Sequence, residues 1–568
     1  MRAFVRAYRS AFLGIGAMSA VINVLTLTGT IYMLEVYDRV LPSRSVPTLV
    51  GISAIAAALF LMQGVLEFLR SRVLSRIGAA LDESFGTRVY ESIIRMPLLA
   101  RTGGDGMQPL RDLDTVRSFM ASAGPTALFD LPWMPLYLAI AFLFHPYIGL
   151  AAVVGSLILV ALTIAAETRT REPSRAASQA LAQRNAFTES TRRNAEAIRA
   201  MGMGRRLATR WSDTHLKHLD ESQRSSDIGG GLGTMSRTLR LMLQSMILGL
   251  GAYLAIHQEV SSGSIIACSV LMSRAMQPVE LAIANWRPFI GARQSWTRLM
   301  ALLSQMPAEP EPMALPAPMG QITAETLVIA PPGERRIVVQ DVSFSLARGQ
   351  GLGIIGPSAS GKSSLVRGLT GVWPLVRGTI RLDGASLDQW SSEELGRHVG
   401  YLPQDIELFD GTIAENISRF EPDARPQDII AAATHAGVHD LVLRLPQGYE
   451  TRVGEGGLAL SAGQRQRIGL ARALYGDPFL VVLDEPNSNL DSAGEEALTE
   501  AIVGVRNRGG IVVVVAHRPS ALAGVDLILV MNEGRMQGFG PKDEVFEKFV
   551  RRAVAPTRLK AVGAEGGA

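Results

Sequence analysis

This 568-residue sequence predicts two folds in tandem. The first is an all-α transmembrane domain of six helices, and the second is an α/β domain in which a glycine-rich loop joins a strand to a helix. Three observations carry the prediction. Apolar residues make up 47% of the chain and mean hydropathy is +0.19, too greasy for a wholly soluble protein of this length. The run GPSASGKSS (356–364) has the spacing G-x-x-x-x-G-K-[ST] between a short apolar strand, 351–355, and a helix start, 363–370. FLVVLDE (479–485) is an apolar run ending in two acids, the pattern of a buried parallel strand with carboxylates at its C-terminal edge.

Six apolar stretches define the membrane half: residues 11–34, 47–66, 131–144, 147–166, 239–256 and 264–283. Each approaches the ~20 residues that cross a bilayer, the third once residues 127–129 extend it. Arginine placement sets their orientation. Arg2, Arg6 and Arg9 precede the first span, a run from Arg70 to Arg117 follows the second, and a dense set from Arg169 to Arg224 follows the fourth. The loops 145–146 and 257–263 carry no Lys or Arg, so both termini are expected in the cytoplasm. A cleaved signal peptide is the alternative for the first span, but its apolar region exceeds a usual signal core and its loss would upset the arginine asymmetry.

Segments 67–122 and 167–237 are too long for loops and rich in Arg, Ala and Glu, so helices projecting into the cytoplasm are expected. Residues 304–320, SQMPAEPEPMALPAPMG, read as a semi-rigid linker, and the tail from 553 as disordered. The domains are therefore 1–303, 321–552 and these two connecting or terminal pieces. Net charge is +4 and pI about 9.3, almost all from arginine. No basic patch is interleaved with aromatics, which argues against nucleic acid. The single cysteine, Cys268, excludes an internal disulfide or Cys-based metal site and suits a small packing residue.

The α/β half carries the chemistry. Gly356, Pro357, Ser358, Ala359, Ser360, Gly361 and Ser364 form the loop that would face nucleotide phosphates, with the N–H groups of all but Pro357 as donors. Lys362 would reach the β- and γ-phosphates, and the Ser363 hydroxyl with Asp484 would hold Mg²⁺. Glu485 would polarise the attacking water. LSAGQRQRIGLARAL (460–474) opens a helix whose N-terminus, with a free Ser461 hydroxyl, makes a second anion site. The strand IVVVVA ends at His517, whose imidazole could bond a γ-phosphate oxygen or the water.

In this order the parts resemble the ATP-binding cassette (ABC) family over about 321–548. The resemblance implies that GPSASGKS is Walker A, that Gln404 in YLPQDIELFDGTIAEN is the Q-loop residue and a magnesium neighbour, and that LSAGQ is the signature, bringing Ser461, Gly463 and Gln464 to nucleotide. It also implies that Asp484 and Glu485 form Walker B with its catalytic base, that Asp491 is the D-loop acid, and that His517 is the switch histidine. The implied cofactors are ATP and Mg²⁺. Two departures stand out. Ala462 replaces a signature glycine, a small-for-small change. The segment that usually offers an aromatic to adenine reads LVIAPPGERR (327–336), without one. Either Arg335 or Arg336 lies over the purine, or both are solvated loop residues, and discrimination among nucleotides should be loose.

Six spans and one cassette resemble half of an ABC exporter. The family's arrangement, signature of one cassette against Walker A of another, implies a homodimer that switches from inward-open to outward-open. VYDRVLPSRSVPTL (36–49), RDLDTVRSFMASAGPTALFDLPWMPLYLAIAFLFHP (111–146), EAIRAMGM (196–203) and the stretch 371–420 resemble the type I secretion permease/ATPases that export metalloproteases, lipases or S-layer proteins. The start close to the first span, without a peptidase-like domain, resembles the subgroup whose cargo keeps an uncleaved C-terminal signal. That kinship implies a periplasmic adaptor, an outer-membrane channel and a bacterial inner membrane. A lipid or drug exporter of the same architecture is the alternative. A soluble ABC regulator or repair factor conflicts with the six spans.

Charged residues within the spans, Arg240, Arg274 and Glu280, should face a cavity, a partner helix or the headgroups. Arg274 is the best placed to touch cargo, unless it pairs with an acid or snorkels. Pro278 is expected to kink its helix.

Overall fold

The computed structural model describes residues 8–99, 106–306, 315–457, 459–516 and 518–553. Residues 96–101 apart, it divides into two compact units, one through residue 307 and one from 308.

Among the described residues the first unit is helical and holds six helical stretches long and apolar enough to span a membrane. The first stretch breaks: Arg9–Leu25 gives way at Thr26 to Thr28–Glu35 and then to a wide π-turn, Val36–Val40. The second span is part of one helix, Val46–Leu99, of 54 residues. At 1.5 Å per residue this is about 80 Å, far beyond a ~30 Å hydrocarbon core, so more than half of it must project. Pro146–Arg193 and Gly204–Ile256 are equally long and pack along each other. Between them lies the short helix Ala195–Ala200.

The third span starts earlier than the hydropathy suggested. It opens at Gly124–Asp130, passes through a tight turn at Leu131–Trp133 and continues as Met134–Phe144. Pro125, Pro132 and Pro135 each fall in the first turn of one of these pieces, where a missing N–H costs nothing. The sixth span, Ser262–Ala284, runs across Pro278 as one helix. Helix Trp286–Gln305 carries the helical region two residues into the expected linker. Residues 307–314 of that linker, and the tail beyond 553, lie outside the described residues.

Several polar groups inside this unit are paired with one another. Arg70 donates to Asp130 at 2.7 Å and to Ser19 Oγ at 2.9 Å, and Asn23 donates to Asp130 at 2.9 Å. The Tyr137 hydroxyl donates to the Asn23 carbonyl at 2.8 Å. One network thus joins three spans, which answers the cost of leaving such groups unsatisfied in lipid. Arg240 pairs with Glu280. Arg274 has no acidic partner among the described residues; it donates to Gln277 Oε1 at 3.2 Å. Cys268 is buried in an apolar cluster with Leu271, Met272 and Tyr137. At the opposite ends of the helices, Asp38 accepts from Gly263 N at 2.7 Å and from Ser261, capping the sixth span. His145 meets Glu259 at 3.0 Å, so the two loops without Lys or Arg sit together.

The second unit contains two sheets. The smaller is antiparallel, with β1 (Gln321–Ile329) between β2 (Val339–Ala347) and β4 (Leu375–Leu382), and β5 (Ala385–Ser386) at the edge. The larger has β3 (Gly351–Ile355), β6 (Val399–Leu402), β7 (Leu480–Asp484), β8 (Ile511–Val515) and β9 (Leu527–Asn532) in the order β9-β3-β8-β7-β6. These five run parallel, and β10 (Arg535–Pro541) closes the edge antiparallel to β9. β7 and β8 are buried throughout, which explains their unbroken Val/Leu/Ile runs.

Candidate nucleotide site

In a parallel sheet the loops after the strands share one edge. The strand order therefore gathers what the sequence scatters: the loop 356–361 after β3, Asp484 and Glu485 after β7, and Gln404 after β6. β8, between β3 and β7, leads to His517, which lies outside the described residues.

Gly361 has φ +95°, and a Cβ there would come within 2.6 Å of the Val338 carbonyl, so only glycine can close the loop. Lys362 begins the helix Lys362–Leu369 and folds back, donating at 2.9 Å to the carbonyls of both Gly356 and Pro357. It is 5% exposed. Burial lowers its pKa, opposed by the carboxylates of Glu485 and Asp484.

Ser363 donates to Asp484 Oδ1 at 3.2 Å. Asp484 is 1% exposed, and its other oxygen has no partner among the described residues. Desolvation raises its pKa despite the Ser363 bond. A buried carboxylate oxygen left unsatisfied beside a serine hydroxyl fits a hard divalent cation with oxygen ligands. Ser360 Oγ is likewise buried without a partner. Gln404 donates to Glu485 Oε2 at 3.1 Å, and the Glu485 amide donates to the Val515 carbonyl at 3.0 Å. Glu485 adopts φ +54°, a conformation few glutamates hold without tertiary support.

The signature segment lies elsewhere in the unit. Its helix, Ala462–Leu474, packs on β6 and on helices Ile413–Ile417 and Pro426–His435, whereas Lys362–Leu369 packs on β1, β7 and β8. The Ser461 hydroxyl also caps its own helix. It accepts from Gln464 N at 3.3 Å while the Gln464 side chain accepts from Ser461 N at 2.9 Å, leaving only its own proton to donate. Gly463 approaches closely: a Cβ would lie 2.9 Å from the Asn489 carbonyl. Asp491 caps the helix Ser492–Asn507 by accepting from Gly494 N at 2.9 Å and pairs with Arg467, and these contacts hold its carboxyl below the usual range.

Two contributors escaped the sequence reading. Gln466, 2% exposed, donates to the Pro486 carbonyl and accepts from Asn489 N at 3.0 Å, so it ties the signature helix to the chain leaving Glu485. A buried glutamine in an amphipathic helix was the available signal. Ile337, 49% exposed, directly follows the segment 327–336 in which the missing aromatic was sought, and precedes Val338, whose carbonyl lies close to Gly361. Arg335 and Arg336 are exposed. Among the described residues no cluster of His, Cys, Asp and Glu forms a protein-only metal site.

The chain matches the ABC transporter transmembrane region over residues 12–279 and the ABC transporter family over 339–488. It is 57% identical to the type I secretion system ATP-binding protein PrsD of Rhizobium meliloti, over 97% of this chain and 94% of that one. Identity is 27% to the cyclolysin secretion/processing ATP-binding protein CyaB of Bordetella pertussis, over 92% of this chain and 74% of the relative. It is 29% to the leukotoxin translocation ATP-binding protein LktB of Mannheimia glucosida, over 95% and 77%. A bacterial Atm1-family ABC exporter solved with ATP bound shares the fold, with TM-score 0.81, 23% identity and coverage of 97% and 99%. With this fold, this strand edge and a near full-length relative agreeing, the chain belongs to the ABC transporters of the type I secretion permease/ATPase family, multi-pass membrane proteins whose ATPase is coupled to transport.

Proposed function

We propose that two copies pair as a homodimer in a bacterial inner membrane and export an unfolded protein that keeps an uncleaved C-terminal signal. The observation that carries this reading is the 57% identity to PrsD, which extends through the membrane half as well as the cassette. The names of CyaB and LktB point the same way. A periplasmic adaptor and an outer-membrane channel complete the route, and the arginine distribution puts both termini in the cytoplasm.

ATP lies along the strand edge with its phosphates on the amides of 356–364 and on Lys362, whose two carbonyl bonds are exchanged for phosphate oxygens. Ser363, Asp484 and Gln404 would hold Mg²⁺, which when bound would supply positive charge against the phosphates. Glu485 orients water and takes its proton, with Gln404 fixing the carboxylate and His517 contributing from the end of β8. Ser461, Gly463 and Gln464 act on the nucleotide of the partner copy, and Asp491 stands at that junction. The separate packing of the signature helix and of the helix at Lys362 supports this need for a second copy. The membrane domain is 1–303, the linker 304–320, the cassette 321–552 and the tail 553–568.

The test is ATP turnover by the full-length transporter in proteoliposomes, with the C-terminal segment of a co-encoded secreted protein added. Altered turnover with that segment, and none with a lipid or drug panel, is expected. The reverse pattern would establish a lipid or drug exporter.

A further inference from the structure

The helix Ala462–Leu474 touches both chain segments that bear the Gln404–Glu485 pair, and it does so from residues three apart. Gln466 donates to the Pro486 carbonyl and accepts from Asn489 N at 3.0 Å, just past Glu485. One turn on, a Cβ at Gly469 would come within 3.0 Å of both Leu402 and Ile406, which flank Gln404. A further turn on, Arg472 donates to the Glu407 carbonyl at 3.2 Å and holds its guanidinium 5.6 Å from the centre of the Phe409 ring. Residues spaced by three lie along one side of a helix, so this side runs from the chain leaving β7 to the chain leaving β6.

The chain leaving β6 depends on such support. Residues 403–410 form neither helix nor strand, so no regular ladder of main-chain bonds fixes where Gln404 points. The far end is pinned: Asn416, fully buried, accepts from Phe409 N and donates to the Phe409 carbonyl, both at 2.9 Å. Between that pin and the end of β6, Arg472 holds the main chain at Glu407. The end of the signature helix is itself moored. Its last carbonyls have no partner within the helix, and Arg419 donates to those of Arg472 at 3.0 Å and Ala473 at 3.2 Å, and also to the Val399 carbonyl at the start of β6 at 3.4 Å.

We propose that Arg472 is a positioning residue for ATP hydrolysis, which aims Gln404 at Glu485 by holding the Glu407 carbonyl and the Phe409 ring. This rests on the roles given above to Gln404 and Glu485. A guanidinium suits the task because its edge donates to a carbonyl while its face lies against a ring. Placed on the signature helix, it makes the geometry of the pair answer to that helix.

The test is steady-state ATP turnover by the full-length transporter in lipid nanodiscs, run as a double-mutant cycle. Arg472→Met keeps the stem and removes the donor and the charge. It should lower kcat about fivefold with KM within about twofold of wild type, and Arg472→Lys should recover most of the loss. Phe409→Leu, at a side chain 64% exposed and so of little weight in folding, should lower kcat about threefold. With Gln404→Ala already present, none of these changes should lower kcat further, because the group they aim is gone. A residue that only supports the fold would lower kcat by the same factor in both backgrounds. That result, or wild-type kcat in both Arg472→Met and Phe409→Leu, overturns the assignment of Arg472 and leaves Gln404 in its role. If Arg472→Met does not fold, Arg472→Lys and Phe409→Leu decide the cycle by the same criteria. If Gln404→Ala alone turns over ATP like wild type, the reading of the pair and this inference fall together.

Discussion

Gln404 and Glu485, 81 residues apart, are joined by a 3.1 Å hydrogen bond from the amide of one to the carboxylate of the other. They meet because β6 and β7 are parallel neighbours, each delivering a residue at its C-terminal end. The bond steadies a glutamate whose backbone is already in the left-handed region. Gln404→Ala should therefore lower kcat for ATP about tenfold with little change in KM, since the carboxylate is freed but kept. A raised KM with unchanged kcat, in steady-state turnover, would place Gln404 in binding alone.

Glu485→Gln keeps the shape of the side chain and removes the base. The variant should bind MgATP like wild type and lose at least about 10²-fold in turnover, trapping a closed dimer visible by size or crosslinking. Undiminished hydrolysis would remove Glu485 from the role of base.

Lys362→Ala should differ in kind. It removes the charge that would face the phosphates, so ATP affinity should fall about 10- to 100-fold. Binding titration separates this from a defect in turnover, and wild-type affinity would contradict the assignment.

The loop at 335–337 carries two exposed arginines and an exposed isoleucine, and no ring. None of these reads a purine edge as a matched donor–acceptor pair would, so ATP and GTP should be hydrolysed with kcat/KM within about tenfold of each other. Side-by-side turnover tests this; strong preference for ATP would require a base-reading group elsewhere.

Asp383 holds the entry to β1 by accepting from the amides of Met319 at 2.6 Å, Gly320 at 3.0 Å and Gln321 at 2.6 Å. Burial acts to raise its pKa, but these bonds outweigh it and hold the carboxyl below its ordinary value of 3.8. Its stabilising effect is thus full above pH 3.8 and is lost as pH falls through the lowered value. Asp383→Asn in the full-length protein should speed hydrogen exchange at residues 319–321 at neutral pH, by the equivalent of about 1 kcal/mol given its solvent exposure. The difference from wild type should shrink in acid, and an unchanged exchange rate at neutral pH would show that the amides are held otherwise.

Local chemistry made part of this protein legible in the sequence. GPSASGKSS allows few conformations because its glycines, lysine and hydroxyls act within one short loop, and six apolar stretches must leave water wherever they pack. Partners distant in the chain were not legible. Arg70 with Asp130, Gln404 with Glu485 and Gln466 with Asn489 are each ordinary polar residues until the fold apposes them. The early start of the third span depended on three prolines sitting at three successive helix starts, which hydropathy does not register. That the Ser461 hydroxyl accepts within its own helix cap depends on the backbone turn there and was not read from the sequence. Hydrophobicity and short-range spacing decided most of which elements form and marked the loop expected to face phosphates. Only the tertiary structure decided which polar groups are satisfied and which are left open, because a hydrogen bond depends on who stands within about 3 Å, not on distance along the chain.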